Sequence, residues 1–330
     1  MKKYFVRANT SSGCVNLIKS NLGDIKTVYA LSGESQNVKS EILKKLSEKN
    51  RNCEVIHSPF VVTDLEGVVF RDIKIAVLDE SLTEGEISAE TVVCKYAENP
   101  DKTKAKDAYQ KLYESYAEAK KIHDEWERIY IEHMDFPRLN KYGEGIIAQL
   151  IGDKKSNLGT YKYKRFFGAS TPDGAVNYID NITEDLSARY FIKGRPGTGK
   201  STFLKRLAKA AEDAGFGCEI YYCSFDKNSL DMVAIPELSF CVFDSTAPHE
   251  LFPERAGDVI LDFYEESGLL GVDEKMEATL LDVSTRYKQK ISEGLCYLRL
   301  GNLYSKEKAS PDDGYTTQMA EMLYSKIKGT

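Results

Sequence analysis

The residues of this chain best equipped for chemistry form one run: Gly194, Arg195, Pro196, Gly197, Thr198, Gly199, Lys200, Ser201 and Thr202. They follow the spacing G-x-x-x-x-G-K-[ST], in which each residue type has a physical task. The glycines let the backbone adopt angles closed to other residues, so that successive N–H groups converge on one anion. Lys200 is expected to reach the β- and γ-phosphates of a nucleoside triphosphate, the Ser201 hydroxyl to coordinate Mg²⁺, and Thr202 to touch the α-phosphate. Arg195 is expected to meet phosphate or to reach a partner domain.

Such a loop needs a strand before it and a helix after it. Arg189 to Lys193 is a short apolar run, and Phe203, Leu204, Leu207, Ala208 and Ala211 recur at helical spacing from Lys200 until Gly215 ends the pattern. The helix would aim its positive end at the same anion. Cys218 to Cys223 and Phe240 to Phe243 read as buried parallel strands. The second of these closes on Asp244, an apolar strand ending in a carboxylate suited to holding the magnesium. Ser245 and Thr246 follow it, where many such enzymes carry a water-polarising glutamate, which leaves the catalytic base open. Asp226, in CSFDKNSLD, is the first candidate and Asp231 the second; a plain polar turn is the alternative. Arg255 is either a charge-neutralising finger or a surface ion pair, and His249 lies in the same stretch.

The unit is written twice. Residues 5–46 align without a gap on 166–207, and fifteen pairs are identical, among them Phe5/Phe166, Gly33/Gly194, Lys39/Lys200 and Ser40/Ser201. After a four-residue difference, CEVIHS from Cys53 faces CEIYYCS from Cys218, and Asp79 faces Asp244. The copies fall at about 1–150 and 155–330. In the first, Gln36 and Val38 replace Gly197 and Gly199, Val61 replaces Asp226, and Glu34 adds a negative charge. This copy is expected to bind nucleotide weakly or not at all and to act structurally or as a regulator.

Strands alternating with helices predict two tandem α/β domains of three α/β/α layers. Each continues into a helical region, Lys102 to Met134 with Pro137 as its stop, and Glu274 to Tyr304. These helices are expected to pack on the sheets or on each other, with a lid over the nucleotide as the alternative.

Composition narrows the partners. The net charge of −6 offers no general attraction for nucleic acid or acidic membranes, although YKYKR at Tyr161 to Arg165 leaves room for a local basic patch. No stretch approaches the roughly 18 apolar residues of a membrane span. No signal-peptide pattern opens the chain, and seven scattered cysteines form no C-x-x-C pair. A reduced, cytoplasmic protein is the expectation.

On KRFFGASTPDG, RYFIKGRPGTGKSTFLKRL, CSFDKNSLDMVAIPEL and FDSTAPHELFP, the chain resembles the P-loop NTPases. More narrowly it is similar to a bacterial family of tandem P-loop ATPases, sometimes labelled nucleotide-kinase-like, whose substrate is uncharacterised. The resemblance implies the α/β/α fold, ATP with Mg²⁺, and binding roles for Gly194 to Thr202 and Asp244. Adenine is expected over guanine because no N-K-x-D signature is in place. An ATPase in which ATP changes the contact between copies is the leading expectation. A small-molecule or nucleotide kinase, with Asp226 and Asp231 holding the acceptor, and a non-catalytic ATP-sensing scaffold are the alternatives. An unknown acceptor or protein partner is implied, and nucleic acid is possible but not favoured.

Overall fold

The computed structural model describes residues 1–33, 35–83, 87–94, 103–305 and 311–329. Glu34, and with it the expected charge in the first loop, lies outside the described residues. The first repeat runs β1 (Lys2–Tyr4), β2 (Arg7–Thr10), β3 (Gly13–Asn16), α1 (Ile18–Asn21), β4 (Thr27–Ser32), α2 (Gln36–Lys49), β5 (Glu54–His57), β6 (Leu65–Phe70), β7 (Ile75–Asp79), α3 (Glu80–Thr83), β8 (Glu90–Val93), α4 (Thr103–Ile131) and α5 (Phe136–Leu150). The second runs β9 (Lys162–Arg165), β10 (Gly168–Thr171), β11 (Gly174–Asn177), α6 (Ile179–Ile182), β12 (Ala188–Lys193), α7 (Lys200–Asp213), β13 (Cys218–Tyr222), β14 (Leu230–Ile235), β15 (Phe240–Asp244), β16 (Asp258–Asp262), α8 (Phe263–Glu266), α9 (Val272–Lys275), α10 (Glu277–Ser305) and α11 (Asp313–Lys328).

The chain is mixed α/β, with two six-stranded sheets flanked by helices. Their orders, β1-β5-β6-β7-β4-β8 and β9-β13-β14-β15-β12-β16, are the same topology written twice. All neighbours are parallel except around β6 and β14, which run antiparallel between their partners. No strand was expected between Cys218 to Cys223 and Phe240 to Phe243; LDMVAI nonetheless forms an internal strand there. Its apolar run is masked by the polar DKNS turn that reverses the chain, where Asp226 Oδ1 accepts from the Asn228 N–H at 2.9 Å.

Corresponding residues meet across the join. Phe5 and Phe166 form an antiparallel bridge with N–H to O distances of 2.9 and 2.8 Å, which is the signature of a pseudo-two-fold axis. One apolar cluster crosses this join, with Tyr4, Ile56 and Leu78 beside Phe167, Tyr221 and Phe243. Here the YKYKR segment becomes β9, an edge strand whose Arg165 is fully buried rather than part of a basic surface patch.

The repeats also exchange helices. Pro137 does not merely stop α4: it opens α5, which packs through Leu139 and Leu150 on Phe203, Leu204 and Leu207 of the second repeat. In return Leu323 and Ile327 of α11 join the core around Ile42 and Leu43 of the first. The two long helices α4 and α10 pack on each other in antiparallel fashion, tied by Lys290–Glu118 and Arg286–Glu125. Gly294 and Gly301, one heptad apart, receive Tyr116 and Tyr109; a Cβ on Gly294 would lie 2.4 Å from the Tyr116 ring. Gly294→Leu is therefore expected to lower stability by about 1–3 kcal/mol through overpacking, read as a lower denaturation midpoint. An unchanged midpoint would show that the helices part at no cost. Among the described residues no helix is long and apolar enough to cross a membrane.

Candidate functional site

The glycine-rich loop connects β12 to α7 as the spacing requires. Gly197 and Gly199 have φ of +80° and +73°, the left-handed region that side chains resist. A Cβ on Gly194 would come within 2.5 Å of Thr198 Oγ1, so the loop closes tightly there as well. Lys200 Nζ donates to the Arg195 carbonyl at 2.8 Å and stands 3.6 Å from Asp244 Oδ2. The sheet brings that carboxylate in: β15 lies directly beside β12, with Ile192 in register with Asp244. Ser201 Oγ accepts from the Leu230 N–H at 2.9 Å, which ties the start of α7 to β14. Asp244 in turn is oriented by Thr246, whose hydroxyl and N–H donate to Oδ1 at 2.7 and 3.1 Å.

The antiparallel course of β14 places Asp231 beside Asp244. Burial first, and then the Asp244 carboxylate, push the Asp231 carboxyl up to about 8. Two carboxyls that repel each other beside a serine hydroxyl are the oxygen donor set a hard divalent cation takes, so the residues present fit magnesium.

The first repeat supplies the contrast. By the alignment Glu66 stands for Asp231 and Asp79 for Asp244, and the structure keeps them in the same register on β6 and β7. There, however, Arg7 clasps Glu66 at 2.6 and 3.0 Å, and Lys39 lies 2.9 Å from Asp79, close as an ion pair though not aligned as a hydrogen bond. Two acids are matched by two internal cations. Arg7 corresponds to Gly168, where a Cβ would sit 2.8 Å from the Val176 carbonyl and no side chain fits. Lacking the loop glycines, Gln36, Asn37 and Val38 also wind into α2, which begins three positions earlier than α7 does by the alignment. The cradle has become helix.

Helix α4 of the first repeat lies across the second repeat's loop. A Cβ on Gly197 would meet the Glu127 carbonyl at 2.8 Å and Ile131 Cγ1 at 3.1 Å. From the same helix Lys120 binds Asp124 and stands 3.5 Å from Asp226 Oδ2. His123, Asp124 and Glu127 group their side-chain ligand atoms within 4.8 Å of one another. Burial raises the Glu127 carboxyl, although Lys120 and Lys200 pull the other way. It also lowers His123 to about 4, so the ring is neutral at physiological pH. Sequence reading named Asp226 but missed Lys120, His123 and Glu127; their only signal was the lid reading of the helical region.

Two arginines form ion pairs. Arg195 turns onto Asp273 of α9 at 2.6 and 2.9 Å, where Tyr130 of α4 also donates. Its side chain thereby ties the loop to α9. Arg255 donates to the Thr183 carbonyl at 3.0 Å and pairs with Asp180, a surface role. His249 packs edge-on against Phe167. Comparisons with family models, with curated proteins and with solved structures found no match to this chain.

Proposed function

We propose that the protein is a magnesium-dependent ATPase with one working site, the loop Gly194 to Thr202, under helix α4 of the other repeat. The observation that carries this reading is the different partnering of two equivalent carboxyls. The first repeat pairs Glu66 with Arg7 and Asp79 with Lys39, whereas in the second Lys200 faces Asp244 and, among the described residues, no cation pairs with Asp231, whose carboxyl is pushed up by burial and by Asp244. A cation bound beside the open glycine cradle would supply the missing partner.

In this reading the inward N–H groups and Lys200 hold the β- and γ-phosphates, and Thr202 holds the α-phosphate. Ser201 and Asp244 hold Mg²⁺, which when bound neutralises charge on the phosphate oxygens. Asp226 and Glu127 are the carboxylates placed to orient a water and take its proton as its oxygen attacks the γ-phosphorus and the bond to the β–γ bridging oxygen breaks. Lys120, steadied by Asp124 and Asp226, adds positive charge from the first repeat. ATP occupancy is thereby felt by α4 and, through it, by α10. The Lys120–Asp226 pair also supports a second reading, phosphoryl transfer to an acceptor bound at that pair.

The test is calorimetric Mg-ATP binding together with phosphate release. Lys200→Ala is expected to weaken binding by about a hundredfold, the loss of two charge-assisted contacts to phosphate. Binding that survives Lys200→Ala unchanged would refute the site. ATP consumed without free phosphate would move the assignment to a transferase.

A further inference from the structure

Helix α4 carries a group of side chains that the glycine-rich loop does not explain. His123, Asp124 and Glu127 bring one imidazole nitrogen and two carboxylate oxygens within 4.8 Å of one another. His123 and Glu127 are four positions apart and share a face of the helix. Nδ1 of His123 is buried without a hydrogen-bond partner, and Glu127 Oε1 stands 3.7 Å from it. That separation is too long for a hydrogen bond. It is close to the span of two donor atoms that each lie roughly 2.1 Å from one shared ion. The imidazole is held in position by rings on three sides: Trp126 of α4, Phe225 of the second repeat and Tyr287 of α10, with centroids 6.4, 6.2 and 5.6 Å away.

We propose that His123, Asp124 and Glu127 form a site for a divalent transition metal such as zinc, made of other residues than the magnesium position at Ser201 and Asp244. The donor set argues for the class of ion. One imidazole with two carboxylates suits zinc or manganese, whereas magnesium takes oxygen donors. The local charges point the same way. Lys120 is shared between Asp124 and Asp226, and among the described residues Glu127 pairs with no lysine or arginine, only facing the His123 ring. Lys120 and Lys200 act on Glu127 through their field alone. A metal that takes Asp124 as a ligand competes with Lys120 for it, and the freed ammonium is left to Asp226 of the other repeat. Metal binding on α4 is in this way coupled to the contact between the repeats. In the ATPase reading Glu127 then serves the metal, and orienting the water falls to Asp226; the metal site itself does not depend on that reading.

The experiment titrates Zn²⁺ by calorimetry and Co²⁺ by visible absorption into the full chain, without nucleotide and with magnesium in large excess to fill any all-oxygen site. One metal per chain is expected to bind. His123→Ala and Glu127→Gln should each weaken it at least about tenfold. Glu127→Gln keeps the size of a half-exposed side chain, and an unchanged denaturation midpoint shows that the fold is intact. Lys120→Met should tighten binding roughly tenfold, because it removes the ammonium that competes for Asp124. The site is overturned if no metal binds in excess magnesium, if Glu127→Gln leaves the affinity unmoved, or if Lys120→Met fails to raise it. A near-ultraviolet band of thiolate-bound cobalt would overturn it too, by placing the metal on a cysteine.

Discussion

Lys39→Ala is expected to lower the unfolding free energy by about 3–5 kcal/mol while leaving Mg-ATP binding at the second repeat intact. The side chains of Lys39 and Asp79 are only 8% and 0% exposed, and their charges lie 2.9 Å apart. Removing the ammonium leaves a buried carboxylate held by the Ser81 N–H at 2.8 Å and by the field of Arg7, whose guanidinium is bonded to Glu66. The same substitution at the equivalent position, Lys200, should behave in the opposite way: binding weakens about a hundredfold and stability is barely altered. Lys200 is 3.6 Å from Asp244, which is 20% exposed and keeps two bonds from Thr246. Urea denaturation of both variants beside calorimetry separates the two outcomes. Equal loss of ATP binding in Lys39→Ala, without loss of stability, would mean that the first loop still works as a nucleotide site.

Arg165→Met is expected to cost a similar amount, about 3–5 kcal/mol, because it removes the charge that holds the repeats together at their join. The guanidinium is fully buried. It donates to Asn21 Oδ1 at 2.7 Å and to Glu54 at 2.9 and 3.1 Å, lies 3.5 Å from Glu219, and stacks over the Tyr4 ring. Burial alone would raise the Glu219 carboxyl, but Arg165 and then Lys2 outweigh it and hold the group down at about 2. A carboxylate whose folded value lies below its unfolded one stabilises the fold above the unfolded value. That contribution fades as pH falls from about 4.5 toward 2. The wild-type chain should therefore lose stability across this interval. In Arg165→Met this pH-dependent loss should be smaller, because Glu219, left with Lys2 and the Tyr221 hydroxyl, both at 2.6 Å, has a folded value closer to its unfolded one. Acid titration followed by circular dichroism reads both effects, and coincident curves would show that Arg165 does not control the join.

Much of the candidate site was legible in the residues. The strand before Gly194, the helix from Lys200 and the apolar strand ending at Asp244 all stand where the pattern put them. Their signals are local: glycine spacing, helical periodicity and a short apolar run. Strands β6 and β14 were missed because a short internal strand beside a polar turn carries no period of its own. Val38 was recognised as hostile to a phosphate loop. That the whole segment would wind into α2 follows from the missing glycines only once the helix is free to extend.

The sequence by itself determined the α/β class, the duplication and the place of the glycine-rich loop between a strand and a helix, because each is encoded in residues adjacent along the chain or in their repetition. The tertiary structure alone decided the exchange of α5 and α11, the placing of Lys120 and Glu127 from one repeat over the loop of the other, and the pairing of Arg7 with Glu66. Those outcomes depend on which surfaces meet when two copies fold around a pseudo-two-fold axis. Long-range packing and the burial of charge, rather than any motif, set that geometry.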